Sequence, residues 1–412
     1  MQADPSRALA DLRALRELTE DEGGAQRLCW TDTWSAARRW FDSRLEGLGV
    51  DVEVDAAGNK WVTLPGEHTD ALVIGSHIDS VPNGGWLDGA LGLLGGLEVL
   101  RAAASAGKPP VTLKLVDWAD EEGARFGYGM LGSSAVSGSL DLDQARGLID
   151  REGNALPEVL AGHGVQLEQM AEARARLDGV LGYIELHIEQ GPVLEDLGQP
   201  LAVVDGTVGV ERHVVRFRGQ ASHAGPTPMN KRREALSAAA RLLLELRNAA
   251  RATGAKFTAG RLTTSPGVAT VVADAVDLTI DQRHPDGRVL ADLLEDARRA
   301  AERIAAEERV DVEFEKLWNI PPIAFDPELR EMTAAVIEEL TGREALHMDS
   351  GALHDAAEVS RAGVPTVMLF VKSLGGISHA KVENSTDDDL ALSVRALAEL
   401  VGRAMIWATT RS

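Results

Sequence analysis

Residues 71–78 read ALVIGSHI, and they are followed by SVPNGG at 80–85, DGALGLLGGLEVLRAAA at 88–104 and VTLKLVDWA at 111–119. The first and last segments are short apolar runs, whereas Leu and Val recur at helical spacing in the long one. Gly, Pro and Asn mark the second segment as a turn. The order strand, loop, helix, strand predicts a βαβ unit, and therefore a parallel sheet with a right-handed crossover.

Two later apolar runs extend the same predicted sheet. They read GYIELHI at 182–188 and PTVMLFV at 365–371, and residues 139–180 read as helices and loops. We therefore expect an α/β domain whose central sheet is mostly parallel and carries helices.

The middle of the chain has a different pattern. From Thr207 the order is strand, helix, strand, strand, helix, strand, which predicts a split βαβ sandwich of the ferredoxin-like type. We place this inserted domain at 209–322, and the larger domain at 1–208 and 323–412. The helix ALSAAARLLLELRNAA, at 235–250, has apolar residues on more than one face. These residues could pack on the domain's own sheet or on a second subunit.

The composition excludes several classes of partner. Among 412 residues, 64 acidic and 42 basic side chains give a formal charge of −22. Nucleic acids and anionic membranes attract clustered Lys and Arg, so we expect neither partner. The simplest interpretation of the excess acid is a solvated surface.

The cysteine count limits both the compartment and the metal ligands. Cys29 is the single cysteine, so it can form neither an intrachain disulfide nor a Cys-rich zinc site. The N-terminal stretch is charged, and no apolar run approaches the roughly 18 residues of a membrane span. We expect a cytoplasmic protein whose metal sites, if any, use His, Asp and Glu.

Side chains of ligand type follow the first two strands of the βαβ unit. His77 ends the first strand, and Asp88 stands where the helix should begin. Glu121 and Glu122 follow the second strand. The carboxyl ends of parallel strands form one crevice, so these groups should converge. Adjacent residues on an extended segment point to opposite sides, so one Glu could bind a metal while the other faces the reacting group.

The later strands deliver further groups to the same rim. His187, Glu189 and Gln190 come at the end of the third strand, and His379 lies in a Gly-rich loop after the fourth. Each residue alone has an ordinary structural explanation, such as a helix cap or a solvated turn. Their convergence from four strand ends is what indicates a metal site.

Imidazole and carboxylate ligands without thiolate suit zinc, manganese, cobalt or nickel. Three histidines and two acids make five groups, which are too many for one tetrahedral ion. If Asp88 bridges, the groups divide into two sites of three ligands with room for a shared water. A free carboxylate would then serve as general base.

The motifs taken together resemble the family of N-carbamoyl-L-amino acid hydrolases, allantoate amidohydrolases and β-ureidopropionases. The stretches that carry the resemblance are GSHIDSVPNGGWLDGALG, DEEGARFG with GMLGSS, ELHIEQGPVLE, HAGPTPMNKRREAL, DQRHPD, SGALHDA and GGISH. This resemblance implies a catalytic α/β domain that binds two divalent metal ions, an inserted dimerisation domain and a homodimer.

The resemblance also implies roles for the residues of the rim. One ion would be held by His77, Asp88 and His187, and the other by Asp88, Glu122 and His379. Glu121 would be the general base that activates the bridging water and then protonates the leaving nitrogen. Asp79 would orient the His77 imidazole, and Gln190 would lie at the substrate amide.

Further roles follow from motifs outside the rim. His223 would reach the partner subunit's site and stabilise an oxyanion there, and Arg283 would hold the substrate carboxylate in two hydrogen bonds. His354 would contact substrate, with Ser350 and Gly351 lining the same loop.

The chain departs from the family pattern near the predicted site. Thr270 stands in place of Asn, Leu353 in place of Gly, Trp86 in place of a basic residue, and Lys372 in place of Pro. A Thr hydroxyl lacks the paired donor and acceptor of an amide. We therefore expect intact hydrolytic machinery with an altered substrate pocket around Thr270 and Leu353.

The predicted function is metal-dependent hydrolysis of a linear C–N bond in an N-carbamoyl or related N-acyl amino acid. An aminoacylase or dipeptidase would share the metals, and His187 with Gln190 argues against it. A non-catalytic scaffold that uses the dimer surface is the remaining alternative, and the complete set of ligands argues against it.

Overall fold

The computed structural model describes residues 2–411. The strands, in chain order, are β1 (Glu20–Asp21), β2 (Gly24–Ala25), β3 (Asp51–Val54), β4 (Lys60–Leu64), β5 (His68–His77), β6 (Val111–Trp118), β7 (Val180–Ile188), β8 (Leu201–Thr207), β9 (Gly209–Arg218), β10 (Ser222–His223), β11 (Lys256–Ser265), β12 (Val271–Val272), β13 (Ala275–His284), β14 (Asp311–Ile320), β15 (Ile323–Ala324), β16 (Leu346–Ser350) and β17 (Thr366–Val371). The α-helices are α1 (Pro5–Thr19), α2 (Asp32–Ser43), α3 (Ala90–Ala106), α4 (Leu131–Ser137), α5 (Leu142–Arg146), α6 (Leu156–Gly162), α7 (Val193–Leu197), α8 (Ala235–Thr253), α9 (Gly287–Glu308), α10 (Pro327–Thr341), α11 (Asp355–Arg361) and α12 (Asp387–Thr409). Short 3₁₀ helices lie at Leu167–Leu177, Met229–Lys231 and Leu374–Gly376.

The chain divides into two compact units. Unit 1 contains the residues up to Gly206 and those from Ala324 onward, and unit 2 contains Thr207–Ile323. Each unit has its own sheet, because the strands of unit 2 pair among themselves.

The sheet of unit 1 has nine strands, in the order β15-β8-β17-β7-β5-β6-β4-β3 with β16 paired to β8. The four central strands, β17, β7, β5 and β6, run parallel to one another. Next to them, β8 and β4 run antiparallel, and so does β3 at the edge. The expectation of a mostly parallel sheet is therefore corrected to a mixed sheet with a parallel centre, since the flanking antiparallel strands were not predicted.

The parallel centre is buried on both faces, as its continuous apolar sequence requires. Residues 71–77 of β5 are all buried, and so is every residue of α3 from Ala90 to Ala103. The edge strand β3 differs, because all four of its residues are exposed. The sheet core thus fixes the strands whose carboxyl ends carry the candidate ligands.

Unit 2 has a four-stranded antiparallel sheet in the order β11-β13-β9-β14. Helices α8 and α9 cover one face, where Val215, Leu242 and Leu278 are buried in the core. The second apolar face of α8 remains uncovered within this unit, since Leu236 and Leu244 are 37% and 58% exposed. The helix therefore packs on its own sheet with one face only.

Among the described residues, the structure contains no helix that is both long enough and apolar enough to cross a membrane. The longest helices, α12 and α9, have 23 and 22 residues, and both carry charged side chains. Their buried residues lie on the face that packs against a sheet or another helix, as expected of amphipathic helices.

Candidate metal centre

The candidate ligands lie at the carboxyl ends of the four parallel strands. His77 is the last residue of β5, and His187 is the last but one of β7. Glu121 and Glu122 follow β6, and His379 lies in the loop after β17. Because these strands are neighbours in the sheet, their ends bring the four segments to one place.

The first group of ligands consists of His77, Asp88 and His187, all of which are buried. Asp88 Oδ1 lies 3.1 Å from His187 Nε2 and 3.9 Å from His77 Nε2. One carboxylate oxygen therefore faces two imidazole nitrogens.

The second group consists of Asp88, Glu122 and His379. His379 Nε2 lies 3.2 Å from Asp88 Oδ2 and 3.3 Å from Glu122 Oε2. The side chain of His379 is 50% exposed, whereas the two carboxylates are buried. Asp88 thus belongs to both groups and presents a different oxygen to each.

The hydrogen bonds of the imidazoles leave their Nε2 atoms available as ligands. His77 Nδ1 lies 3.1 Å from the carbonyl oxygen of Asp79, and His187 Nδ1 lies 2.9 Å from that of Ile188. Each Nδ1 therefore carries the proton, and each Nε2 has a lone pair. His187 Nε2 is buried and makes no hydrogen bond to a described residue. A cation would satisfy these facing lone pairs, so both groups fit a divalent metal ion.

Glu121 lies beside the first group without belonging to it. Its Oε2 is 3.7 Å from His77 Nε2, and its side chain is 10% exposed. Burial raises the pKa of Glu121 well above its usual range. The nearby imidazole of His77 acts to lower this pKa, whereas the negative charges of Asp355, Glu122 and Asp79 raise it further. A carboxylate whose pKa is raised is a stronger base, as general base catalysis requires.

The acids of the second group perturb one another. Burial raises the pKa of Glu122 to about 7, and the charge of Asp88 adds to this. Hydrogen bonding to Asp88 raises the pKa of His379 to about 9. Burial alone would raise the pKa of Asp88, but the imidazoles of His187 and His379 next to it hold that pKa well below its usual range. Asp88 is therefore the anionic centre of the cluster.

The bend that carries Glu121 and Glu122 is not the extended segment that we expected. Asp120 adopts a left-handed backbone with φ of 59°. The two backbone N–H groups that follow donate to the carboxylate of Asp79, at 3.4 Å for Glu121 and 3.3 Å for Glu122. Asp79 contacts His77 Nδ1 through its carbonyl oxygen at 3.1 Å, and its Oδ1 lies 3.5 Å from the same atom, while its carboxylate also holds the bend; its role in orienting His77 stays a prediction.

Trp30 supports the same bend from the N-terminal part of the chain. Its indole Nε1 donates to Asp120 Oδ2 at 2.8 Å. Burial raises the pKa of Asp120 to about 8, and Asp79 contributes to this. Positive φ angles also occur at Gln190 (59°) and His379 (54°). Such strained backbone is concentrated at functional sites in many proteins.

Gln190 contacts the cluster through its side-chain amide. Its Nε2 donates to Asp88 Oδ2 at 2.8 Å and to Ser378 Oγ at 3.3 Å. Its Oε1 is buried and makes no hydrogen bond to any described residue. The structure thus leaves an acceptor of Gln190 available beside the ligands.

His354 lies behind the ligands in a buried position. It is 2% exposed, its ring centroid is 4.4 Å from that of His187, and its Nε2 is 3.0 Å from Ser350 Oγ. Burial lowers the pKa of His354 well below its usual range, so the imidazole is neutral. Gly351 and Leu353 precede it and are partly buried. Contact of these residues with substrate stays a prediction.

The site residues expected from unit 2 do not converge within that unit. His223 in β10 pairs with Val271 in β12, and the Ala224 N–H donates to the Thr270 carbonyl at 2.8 Å. His223 and Thr270 are therefore neighbours, and both are exposed. The Gly225 N–H donates to His223 Nδ1 at 3.1 Å, which leaves the ring proton on Nε2.

Arg283 lies in β13 of the four-stranded sheet, whereas β10 and β12 form a separate two-stranded sheet. It comes eight positions after Ala275, the first residue of β13, a distance of roughly 26 Å along the strand. Its Nε donates to Asp281 Oδ1 at 2.9 Å, and Asp281 also accepts from Arg212. Arg283 therefore has an acidic partner in this structure, which a substrate carboxylate would have to replace.

Two of the departures from the family pattern lie away from the ligand groups. The ring of Trp86 is covered by Arg16, with its centroid 5.4 Å from the guanidinium carbon, and lines a pocket of about 450 Å³. Lys372 Nζ lies 2.8 Å from Asp389 Oδ2. Neither contact reaches a ligand, so the expectation that these two residues lie near the substrate receives no support from their contacts.

Sequence reasoning missed Ser378 and Glu383. Ser378 Oγ lies 3.0 Å from Asp88 Oδ2 and 2.8 Å from Glu383 Oε2. Glu383 is 2% exposed in spite of its polar surroundings in the sequence KVENSTDDD. Ser378 could have been considered as the neighbour of His379, whereas a single Glu in an acidic segment carries no signal of burial.

The amino-acid sequence is similar to known proteins over most of its length. Residues 73–403 match the family described as Peptidase family M20/M25/M40. The chain is 35% identical to an N-carbamoyl-L-amino acid amidohydrolase of Geobacillus stearothermophilus, over 93% of this chain and 94% of that protein. It is also 35% identical to an allantoate amidohydrolase of Escherichia coli K12, over 91% and 92%.

A solved structure supports the same similarity. The amidase of the hydantoinase/carbamoylase family from Burkholderia multivorans superposes with a TM-score of 0.87. The two chains are 32% identical, and the match covers 97% of this chain and 98% of the other. The similarity therefore extends over both units.

Proposed function

We propose, from the premise that this chain belongs to peptidase family M20/M25/M40 and to its carbamoylase and allantoate amidohydrolase branch, that it is a metal-dependent amidohydrolase. It is a hydrolase of carbon–nitrogen bonds other than peptide bonds. Its substrate is an N-carbamoyl or related N-acyl amino acid with a free carboxylate. Hydrolysis of a carbamoyl group releases ammonia and carbon dioxide.

The observation that carries this proposal is the pair of ligand groups that share Asp88, with Glu121 beside them. His77, Asp88 and His187 would hold one divalent ion, and Asp88, Glu122 and His379 the other. Two ions bound there would polarise the scissile carbonyl and lower the pKa of a water molecule. Zinc, manganese, cobalt and nickel all suit this donor set.

Glu121 performs the proton transfers in this proposal. Its carboxylate takes a proton from the attacking water and delivers that proton to the leaving nitrogen. Burial raises the pKa of Glu121, which strengthens the carboxylate as a base for the first step and lets it hold the proton until the leaving nitrogen accepts it. The bend held by Asp79 and Trp30 keeps this carboxylate beside His77.

Gln190 supports a ureido rather than a simple acyl substrate. The buried Oε1 that makes no hydrogen bond to a described residue can accept from a carbamoyl N–H, which an acetyl group lacks. Leaving such an acceptor unpaired costs free energy, so a carbamoyl substrate is preferred.

The remaining roles stay predictions. Arg283 would hold the substrate carboxylate, His223 would stabilise the oxyanion, and His354, Gly351, Leu353 and Thr270 would line the pocket. A homodimer would be needed for the role of His223. The exposed Leu244 of α8 is consistent with an interface between two copies of the chain. A cytoplasmic location, expected from the single cysteine, also stays a prediction.

The test is a reconstitution experiment. Protein dialysed against a chelator and refilled with Mn, Co, Ni or Zn is offered N-carbamoyl amino acids, allantoate and N-acetyl amino acids. We expect metal-dependent turnover, faster on the ureido substrates than on the acetyl ones. Turnover of acetyl substrates alone would favour an aminoacylase, and the absence of turnover on every substrate would contradict the proposal.

A further inference from the structure

We infer that Glu383 is a positioning residue that fixes the shared ligand Asp88 and the loop of His379 through a closed ring of hydrogen bonds. The ring passes from the Asp88 carboxylate to Gln190, Ser378 and Glu383, and returns to the Asp88 backbone. This inference rests on the proposed function, because it assigns the ring a role in metal binding.

Glu383 is a buried carboxylate with three donors. Its Oε1 accepts the backbone N–H groups of Leu87 and Asp88, both at 3.0 Å. Its Oε2 accepts the hydroxyl of Ser378 at 2.8 Å. The carboxylate therefore holds the segment before α3 and the loop after β17 at the same time, although nearly 300 residues separate them.

The hydrogens in the ring can be allocated without conflict. Ser378 has one hydroxyl hydrogen, but its Oγ lies close to two carboxylates, Asp88 at 3.0 Å and Glu383 at 2.8 Å. The two hydrogens on Gln190 Nε2 supply the remaining donors, one to Asp88 Oδ2 at 2.8 Å and one to Ser378 Oγ at 3.3 Å. Ser378 is then free to donate to Glu383, so every contact of the ring has a donor and an acceptor, and the 3.0 Å approach of Ser378 Oγ to Asp88 Oδ2 carries no hydrogen.

Gly85 shows that the chain is shaped for this contact. A Cβ at position 85 would lie 2.0 Å from Glu383 Oε1 and 2.5 Å from the Glu383 Cβ. A side chain there would therefore push Glu383 away from the Leu87 and Asp88 N–H groups. The glycine is needed for close approach rather than for a positive φ angle.

The ring explains how Asp88 can serve two ligand groups. Its Oδ1 faces His187, and its Oδ2 receives Gln190 and faces His379. Asp88 Oδ2 accepts from Gln190 Nε2, and the Asp88 N–H donates to Glu383 Oε1. Asp88 is therefore fixed both at its carboxylate and at its backbone. Ser378 is adjacent to His379 in sequence, so the same ring positions that imidazole. Partners of this kind typically change metal affinity by about 10–100-fold.

The experiment compares Ser378→Ala, Ser378→Thr and Glu383→Gln with the wild-type protein. Alanine removes the hydroxyl, whereas threonine keeps it. Glutamine keeps the Oε1 acceptor for Leu87 and Asp88 but replaces Oε2, the acceptor of the Ser378 hydroxyl, with an N–H donor, so Ser378 must direct its hydrogen elsewhere. Glu98→Gln is the matched control, because Glu98 is also a buried carboxylate that accepts a backbone N–H, from Asp4 at 2.7 Å.

The readouts are metal affinity by calorimetric titration of the metal-free protein and the absorption spectrum of the cobalt form. We expect Ser378→Ala and Glu383→Gln to weaken metal binding by roughly 10–100-fold and to change the cobalt spectrum. Ser378→Thr should recover most of the affinity, and Glu98→Gln should keep the wild-type affinity and spectrum.

The outcomes separate this inference from the proposed function. Wild-type affinity and spectrum in folded Ser378→Ala and Glu383→Gln would overturn the positioning role while the enzyme stays active. An equal loss of affinity in Glu98→Gln would also overturn it, because the effect would then be one of general stability. If the wild-type protein binds no metal and hydrolyses nothing, the proposed function itself fails.

Discussion

The polar residues of unit 1 and those of unit 2 are arranged in opposite ways. In unit 1, the candidate site residues come from separate segments and lie close together. The ligand atoms of His77, Asp88 and His187 are within 4.8 Å of one another, and Glu121 Oε2 lies 3.7 Å from His77 Nε2. In unit 2, His223 and Thr270 lie near the start of β13, whereas Arg283 lies near its end. The first set forms one cluster, whereas the second is dispersed over two sheets.

The difference follows from sheet topology. Parallel strands that are neighbours have their carboxyl ends on the same edge, so side chains that follow them converge without further adjustment. The two ends of one strand lie far apart in any sheet, so Arg283 cannot meet residues near the start of β13. The candidate ligands therefore converge in unit 1, whereas the residues of unit 2 that we propose for substrate contact lie at separate places.

The largest effect should come from Asp88, which both ligand groups share. Asp88→Ala should lose both ions and reduce hydrolysis below detection, whereas His379→Ala should lose one ion. Metal content per subunit, measured by elemental analysis after gel filtration, distinguishes the two variants. Retention of one ion in Asp88→Ala would show that the groups are independent.

Glu121→Gln should separate the base from the ligands. We expect kcat to fall by about 10²–10⁴-fold, because the amide cannot take a proton from water. Metal content should stay at the wild-type level, since Glu121 belongs to neither ligand group. Kinetics and elemental analysis on the same sample provide the test. Loss of metal from this variant would make Glu121 a ligand.

Arg283→Lys should affect substrate binding more than catalysis. Lysine keeps the charge but loses the two-pronged hydrogen bond to a carboxylate, so KM should rise roughly 10-fold with a smaller change in kcat. Arg212→Lys is the control, because Arg212 binds the same Asp281 at 2.7 Å. If both variants raise KM equally, the effect comes from Asp281 rather than from substrate recognition.

The smallest effect concerns the stability of the metal-free protein. The pKa of Asp120 is raised from 3.8 to about 8, so between these values the folded state binds a proton that the unfolded state releases. This contribution to stability is complete below pH 3.8 and is lost as pH rises through 8. Asp120→Asn keeps an acceptor for Trp30 and removes the titration.

Melting temperatures of the metal-free proteins between pH 5 and 8 measure this difference. The melting temperature of the wild-type protein should fall more steeply with pH than that of Asp120→Asn, by a few degrees over the range. Parallel curves would show that folding does not raise the pKa of Asp120.

The main elements of both units could be predicted from periodicity. The predicted strands at 71–78, 111–119, 182–188 and 365–371 correspond to β5, β6, β7 and β17, because buried parallel strands are continuous apolar runs. The antiparallel strands β4 and β8 were missed: β4 has a short, mixed sequence, whereas β8 begins with the short apolar run LAVV, which was overlooked. The split βαβ order of unit 2 was visible because its strands alternate and its helices are long and amphipathic.

The candidate ligands could be predicted from the sequence, but the residues that hold them in place by hydrogen bonds could not. His77, Asp88, the pair Glu121 and Glu122, His187 and His379 could be chosen because they follow the ends of predicted strands. The family motifs added the assignment of Glu122 as a ligand and Glu121 as the base. Nothing in the sequence distinguishes the buried Glu383 from the exposed acids that follow it, since long-range burial has no local signature. The left-handed bend at Asp120 and the hold of Asp79 on it were also absent from the pattern.

The sequence by itself determined the type of chemistry. One cysteine, a set of histidines and acids at strand ends, and a βαβ unit to carry them are local properties of the chain. Tertiary structure alone decided which oxygen of Asp88 faces which imidazole, and that Glu383, Ser378 and Gln190 hold it there. The physical reason is that hydrogen bonds between distant segments depend on positions within a few tenths of an ångström, which only the packed core sets.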